Sequence, residues 1–124
     1  MPEASIWARE SLLDSANGGN AWVAELGGRV AGILVGRVAA DEFEVLNLAV
    51  AKAQRRRGVA TQLAKVALES ARIAGARQAY LDVRASNKGG IALYEQLGFR
   101  VCGRRSNYYR DPIEDAILLV LQDH

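Results

Sequence analysis

The chain has 124 residues, of which 50% are hydrophobic and 24% charged, and its formal net charge is +2. This composition is typical of an ordinary globular protein and excludes a fibrous or disordered one. The length predicts a single domain over residues 1–124. Because the net charge is close to zero, nothing in the overall charge favours nucleic acid as a direct partner.

The sequence offers little for thiol or metal chemistry. Cys102 is the single cysteine and His124, the last residue, is the single histidine, so neither an internal disulfide nor a cysteine–histidine pair is expected. Metal-ligand spacing is also missing. No apolar run approaches the ~20 residues of a membrane span, and the first residues lack a signal pattern. We therefore expect a cytoplasmic protein without a metal site or a membrane contact.

The first part of the chain predicts a helix followed by a hairpin. Residues 5–16 carry apolar side chains near helical spacing and predict a helix. Residues 21–26 and 30–38 predict two strands. Gly27 and Gly28 lie between these apolar runs, which is a hairpin signal.

The middle of the chain predicts a strand–helix–strand crossover. Residues 44–50 are apolar on both faces except at Asn47, which is typical of a central strand. A long helix is expected from Gly58 to Gly75, and a strand over Gln78–Arg84. Such a crossover implies that the two strands are parallel.

A second, shorter helix is predicted over residues 87–97, and a closing hairpin over residues 99–108 and 116–121. The resulting fold class is α/β (α+β mixed): a mixed sheet with a central parallel strand pair and flanking helices.

The turn before the long helix has the composition of an anion site. It reads Arg55-Arg56-Arg57-Gly58-Val59-Ala60-Thr61. The first N–H groups of a helix lack internal partners, and the helix dipole favours negative charge there. Gly58 permits close approach of a phosphate, and the arginines add charged donors. A solvated helix start would show the same pattern, so these residues alone leave both interpretations open. Walker and dinucleotide-binding glycine patterns are absent.

Three motifs in this order resemble the GCN5-related N-acetyltransferase (GNAT) family. The first is Asn47-Leu48-Ala49-Val50 with Arg55-x-x-Gly58-x-Ala60, the second is Leu81-Asp82-Val83-Arg84-Ala85-Ser86-Asn87, and the third is Ala92-Leu93-Tyr94-Glu95-Gln96-Leu97-Gly98-Phe99. Within the family, three runs are similar to the RimI branch, which acetylates the N-terminal alanine of a ribosomal protein. They are Val83-Arg84-Ala85-Ser86-Asn87, the later Arg104-Arg105-Ser106-Asn107-Tyr108-Tyr109, and Glu114-Asp115-Ala116, which follows it.

The resemblance implies acetyl-CoA as the cosubstrate. Its pantetheine arm would lie along the backbone of Leu48, Ala49 and Val50 like an added strand. The residues expected to hold its pyrophosphate are Arg55, Arg56, Arg57, Gly58, Val59, Ala60 and Thr61. Asn87 would touch the coenzyme, although an asparagine at a helix start is also a common N-cap.

The resemblance also implies direct acetyl transfer to an amine, with Asp82 as the base and Tyr94 as the proton donor. The RimI branch usually has glutamate at the position of Asp82. Because aspartate is one methylene shorter than glutamate, Asp82 could take the proton of the amine directly or through a water molecule, and both routes stay open. Neither residue need be catalytic. Asp82 could simply be an aspartate that faces solvent from a strand, and Tyr94 could simply be a tyrosine of the core.

The expected acceptor is the N-terminus of a protein or peptide, such as a ribosomal protein. A small amine, a lysine side chain, or a catalytically weak acetyl-CoA-binding module are the alternatives. Two groups of residues are candidates for the acceptor groove. They are Tyr108 and Tyr109 with Arg104 and Arg105, or instead Asp41, Glu42 and Glu44.

Compared with the family, the chain is expected to lack about one strand and one helix at its N-terminus, because the first hairpin begins by Ala21. A missing strand would leave a sheet edge exposed. On that basis a homodimer is expected.

Overall fold

The computed structural model describes residues 5–10, 19–52, 55 and 58–122. Within them the chain forms seven strands and two helices. They are β1 (Ser5–Glu10), β2 (Gly19–Leu26), β3 (Arg29–Ala39), β4 (Glu42–Val50), α1 (Val59–Ile73), β5 (Gln78–Arg84), α2 (Lys88–Gln96), β6 (Arg100–Tyr109) and β7 (Glu114–Gln122). From β2 onwards, each predicted strand and helix is found, and its ends fall within two residues of the prediction.

All seven strands form one sheet in the order β1-β2-β3-β4-β5-β7-β6. Neighbouring strands are antiparallel except for β4 and β5, which are parallel. The helix α1 connects these two strands, so the predicted crossover is confirmed. The mixed sheet with a central parallel pair and helices packed on it is confirmed as well.

The helix predicted over residues 5–16 is wrong where the structure describes it, because Ser5–Glu10 is a strand. It pairs with β2 from Ser5↔Glu25 to Glu10↔Asn20. Local helix preference is weak, and the hydrogen bonds offered by the free edge of β2 override it. Residues 11–16 of the predicted helix lie outside the described part of the chain.

The expected loss of the first strand is also wrong, because β1 occupies that position beside β2. The edge of β2 is therefore covered within this chain. The structural reason for expecting a homodimer no longer holds.

One face of the sheet carries the core and both helices. Trp22 and Phe43 meet edge to face there, with ring centroids 5.7 Å apart. The helix α1 buries a stripe of small and branched side chains against this face: Val59, Leu63, Ala64, Ala67, Leu68 and Ala71. A Cβ at Gly32 would lie 3.0 Å from the Leu63 side chain, so the helix lies very close to β3.

The second helix begins and ends with local signals. The side chain of Asn87 accepts a hydrogen bond of 2.9 Å from the N–H of Gly90, so Asn87 is the N-cap. After the helix, Gly98 has a φ of 101°, which favours glycine. Tyr94 on this helix packs against Phe99 with ring centroids 5.3 Å apart. These contacts fix α2 on the same core as α1.

In the described ranges, neither helix is long and apolar enough to cross a membrane. Those ranges also hold no group of three or more side chains that could bind a metal ion.

Candidate active site

The parallel strands β4 and β5 separate after a short ladder. They pair from Glu42↔Gln78 to Val45↔Leu81 and no further. Beyond that point β4 follows β3, and β5 follows β7. The register of β3 against β4 shifts between Val35 and Gly36, opposite the point of separation. Because a bulge bends its strand, it helps to open a gap between the two strands.

The backbone of β4 presents hydrogen-bonding groups to this gap. The N–H of Ala51 donates to the carbonyl of Ala31 at 2.8 Å. In an antiparallel pair, bonded and non-bonded positions alternate. Ala49, two residues before Ala51, therefore bonds to β3, whereas the N–H and C=O groups of Leu48 and Val50 point into the gap. Of the three residues predicted to bind the coenzyme through their backbone, Leu48 and Val50 therefore have backbone groups free to do so, and Ala49 does not.

The gap opens into a cavity of about 1060 Å³. It is bounded by the second half of β4, the start of α1, the end of β5 and one side of α2. The residues predicted for the site that line it are Leu48, Val50, Arg55, Gly58, Val59, Ala60, Thr61, Asp82, Asn87 and Tyr94. Ala49 is not among the lining residues, and Arg56 and Arg57 lie outside the described part of the chain.

The N-terminus of α1 is open toward the cavity. Gly58 is the N-cap, with a φ of 75°, and no described side chain caps this end of the helix. A Cβ at Gly58 would meet nothing within 4 Å. The N–H groups of the first helical turn are thus available to an anion, and Arg55 adds a positive charge beside them.

The side chain of Val59 does not belong to this anion site. It is 2% exposed and packs toward β3, where a Cβ at Gly32 would lie 3.1 Å from it. Only the backbone of Val59 is therefore left for a ligand.

Asp82 and Tyr94 lie on opposite faces of the sheet. Along β5, Leu81 and Val83 are buried in the core with the helices, so the intervening Asp82 points to the other face. Tyr94, which is 5% exposed, belongs to the helical face. Both residues line the same cavity, so the gap between β4 and β5 connects the two faces.

Burial raises the pKa of Tyr94 to about 12. The phenol is therefore protonated across the physiological pH range and can serve as a hydrogen-bond donor or an acid. Tyr94 lines the cavity, where a leaving group that must gain a proton would benefit from this donor.

The structure separates the candidates for the acceptor groove. Tyr109 lines the cavity, whereas Tyr108 is 45% exposed and is not among the lining residues. Arg104 instead pairs with Asp115 at 2.7 Å. Glu44, from the other candidate group, pairs with Arg37 at 2.6 Å. The remaining candidates, Asp41, Glu42 and Arg105, do not line the cavity either.

Some lining residues were missed by sequence reasoning. Arg84 shares a face with Asp82, and their two-residue spacing on a strand could have indicated this. Gly89 and Gly90 line the cavity in the first turn of α2, and a glycine pair in a helix start is a signal of close approach. Leu93, which also lines it, gave no such signal.

A family model and a characterised relative both match this chain. The model of the Acetyltransferase (GNAT) family matches residues 2–99. The ribosomal protein bS18-alanine N-acetyltransferase of Escherichia coli K12 is 38% identical over 96 residues, which cover 76% of this chain and 65% of that protein. The match thus spans less than two thirds of the length of this relative.

Two solved structures illustrate the shared fold. The crystal structure of the ribosomal-protein-S18-alanine N-acetyltransferase from Escherichia coli superposes with a TM-score of 0.81 at 32% identity, over 90% of this chain and 75% of that one. An acetyltransferase from Elizabethkingia anophelis with acetyl-CoA bound gives a TM-score of 0.85 at 22% identity, over 98% and 99%. At that lower identity the likeness concerns the fold alone.

Proposed function

We propose that this chain, which belongs to the acetyltransferase (GNAT) family, transfers an acetyl group from acetyl-CoA to the N-terminal α-amine of a protein. An alanine-initiated ribosomal protein is the proposed acceptor, by analogy with the relatives from Escherichia coli. The observation that carries the proposal is the gap between β4 and β5, lined by an acid, a base candidate and an uncapped helix N-terminus.

The coenzyme would bind along the free edge of β4. Its pantetheine arm contains amides, which can pair with the outward backbone groups of Leu48 and Val50 as an added strand would. Its pyrophosphate would accept hydrogen bonds from the N–H groups after Gly58. Arg55 would add charge there, and Arg56 and Arg57 stay proposed contacts of the same group.

The acceptor would reach the thioester from the face that carries Asp82. An α-ammonium group has a pKa near ~8 and must lose a proton before it can attack. Asp82 would take that proton directly or through one water. The amine nitrogen then bonds to the acetyl carbon, the carbon–sulfur bond breaks, and Tyr94 donates its proton to the departing sulfur. The nitrogen loses its remaining extra proton to solvent as the amide forms, and Tyr94 regains a proton from solvent, so the enzyme returns to its starting state.

Acid and base groups of this kind contribute about 10²–10⁴-fold to a rate. The arrangement on opposite faces also keeps the two roles apart, because the base meets the acceptor and the acid meets the leaving group. No covalent enzyme intermediate is needed, and Cys102 is exposed on β6 outside the cavity.

The proposal is tested by incubating the protein with acetyl-CoA and a synthetic peptide that begins with the alanine of the ribosomal substrate. Acetylation is followed by mass spectrometry and by release of free thiol. The matched control is the same peptide with a blocked N-terminus and a free internal lysine. Acetylation of the first peptide alone supports the proposal.

Other outcomes would select the alternatives. Acetylation of the blocked peptide or of a small amine alone would indicate a different acceptor class. Binding of acetyl-CoA without turnover on any amine would indicate a coenzyme-binding module. A cytoplasmic location and a homodimer stay predictions, and the second has lost its structural reason with the finding of β1.

A further inference from the structure

Arg84, at the end of β5, is held by the turn between β6 and β7. Its Nη1 donates to the carbonyl of Pro112 at 3.1 Å and to Oε1 of Glu114 at 3.2 Å. Its Nη2 donates to the carbonyl of Arg110 at 3.0 Å. One guanidinium thus binds both sides of the turn, 26 to 30 residues away in the sequence.

Glu114 extends this link to the start of α2. Its Oε2 accepts a hydrogen bond of 2.6 Å from the N–H of Ser86. Ser86 precedes Asn87, the N-cap of α2. We call Arg84, Ser86 and Glu114 the clamp, since together they join the end of β5 and the start of α2 to the β6–β7 turn.

The clamp also fixes an aromatic ring at the cavity. The guanidinium of Arg84 lies 4.6 Å from the centre of the Tyr109 ring, within the range of a cation–π contact. Tyr109 lines the cavity together with Asp82. Burial, followed by the charge of Asp82, raises the pKa of the Tyr109 phenol, which agrees with its position near that carboxylate.

We infer that Arg84 is a positioning residue for the acceptor: by holding Tyr109 and the β6–β7 turn, it shapes the entrance on the face that carries Asp82. This inference rests on the proposed function. Arg84 acts through Tyr109, because its guanidinium stacks on that ring while its Nη1 and Nη2 groups donate to the turn.

The charge of the clamp supports a positioning role rather than direct recognition. Glu114 offsets the positive charge of Arg84, which reduces the repulsion between the guanidinium and a cationic α-ammonium group approaching Asp82. A planar fork that donates to three oxygens and stacks on a ring is a role that lysine cannot reproduce. The conservative replacement is therefore informative.

The test compares Arg84→Gln and Arg84→Lys with the wild type, Tyr109→Ala and the double variant Arg84→Gln/Tyr109→Ala. Arg100→Gln is the matched control, because this arginine is on the same hairpin and donates to Gln122 away from the cavity. The measured quantities are kcat and KM for the alanine-initiated peptide and the Kd of acetyl-CoA.

We expect Arg84→Gln to lower kcat/KM for the peptide by about tenfold or more, mainly by raising KM. Arg84→Lys should restore only part of the lost kcat/KM, because lysine lacks the planar fork of arginine. The Kd of acetyl-CoA should change by less than about twofold in every variant. Because Arg84 acts through Tyr109, the double variant should be no worse than the more damaging single variant.

Losses that multiply in the double variant, an equal loss of acetyl-CoA affinity, or an unchanged kcat/KM would each overturn the inference. If the wild type acetylates no peptide, the proposed function fails, and acceptor positioning fails with it; hydrogen exchange then tests separately whether Arg84 holds the turn. Arg84→Gln should speed amide exchange over residues 107–113 while Arg100→Gln does not. Equal exchange in both variants would contradict the clamp.

Discussion

Asp82 and Tyr94 face one cavity from opposite sides of the same sheet. Asp82 points away from the helices, and Tyr94 reaches the cavity from α2. In the proposed mechanism a proton is therefore taken on one face and given on the other.

Replacing Tyr94 by phenylalanine removes the hydroxyl and keeps the ring that packs on Phe99. We expect kcat to fall by about 10²-fold or more with little change in the Kd of acetyl-CoA. Tyr80→Phe is the control, since Tyr80 does not line the cavity. Equal losses of binding and turnover in Tyr94→Phe would indicate a packing role instead.

Replacing Asp82 by asparagine keeps the shape of the side chain and removes the carboxylate that we propose as the base. We expect kcat/KM for the peptide to fall by about 10²–10⁴-fold at neutral pH. Asp82→Glu should retain activity, because it keeps a carboxylate on the same face. The exposed Glu95, which lies next to Tyr94 in sequence but not on the cavity, provides the control Glu95→Gln. Full activity in Asp82→Asn would remove this residue from the mechanism.

Replacing Gly58 by tryptophan should abolish measurable binding of acetyl-CoA, because the new side chain would occupy the space beside the first turn of α1. The positive φ adds a strain of roughly 1–2 kcal/mol. Gly75→Trp is a closely matched control: its φ is 106°, a Cβ there also meets nothing within 4 Å, and it lies beyond the other end of α1. The Kd of acetyl-CoA is measured for both variants by calorimetric titration. Loss of binding in Gly58→Trp alone would indicate loss of the site, whereas loss in both variants would indicate an effect of backbone strain.

The β6–β7 turn should weaken in acid. Hydrogen bonding from Ser86, and then the ion pair with Arg84, holds the pKa of Glu114 below its ordinary value of 4.5. The N–H of Asn107, and then Arg104, lowers the pKa of Asp115 below 3.8. A lowered folded-state pKa means that the stabilisation is present above the ordinary pKa and is lost as the pH falls through the folded-state value.

We therefore expect the Tm to be independent of these two groups near neutral pH and to decrease as the pH falls below 4.5. Glu114→Gln should show a smaller decrease over the same range, because one of the two titrating groups is gone. Thermal melts of both proteins between neutral and acid pH measure this. Parallel curves for the two proteins would contradict the assignment.

The core should not tolerate a methyl group at Gly36. A Cβ there would overlap the ring of Phe43 and lie 3.0 Å from the carbonyl of Glu44. Overpacking of this kind costs about 1–3 kcal/mol of the free energy of unfolding. Gly103→Ala, whose Cβ would meet the Leu118 side chain at an ordinary 3.8 Å, should cost much less in the same urea titration.

Local chemistry explains why most of the fold could be predicted. The hairpin at Gly27 and Gly28 and the cap at Asn87 depend on residues within a few positions, so the sequence displays them directly. The face of Asp82 follows from the period of a strand. These features need no knowledge of distant contacts.

Distant contacts explain the rest. Ser5–Glu10 is a strand because β2 offers it hydrogen bonds, and its own sequence does not specify that partner. The contacts of Arg84 join residues 26 to 30 positions apart, and no spacing in the sequence announces them. The separation of β4 from β5 likewise coincides with a bulge against β3 and could not be read from either strand alone.

In the described part of the chain, the short ladder between β4 and β5 joins the two antiparallel halves of the sheet, β1–β4 and β5–β7, through four residue pairs. A molecule that hydrogen-bonds to both β4 and β5 across the gap would add inter-strand connections that the chain itself lacks. Its affinity would then appear as heat resistance of the whole sheet, and the Tm should rise with the logarithm of its concentration. A ligand in the gap would therefore act as a structural part of the sheet, linking its two halves.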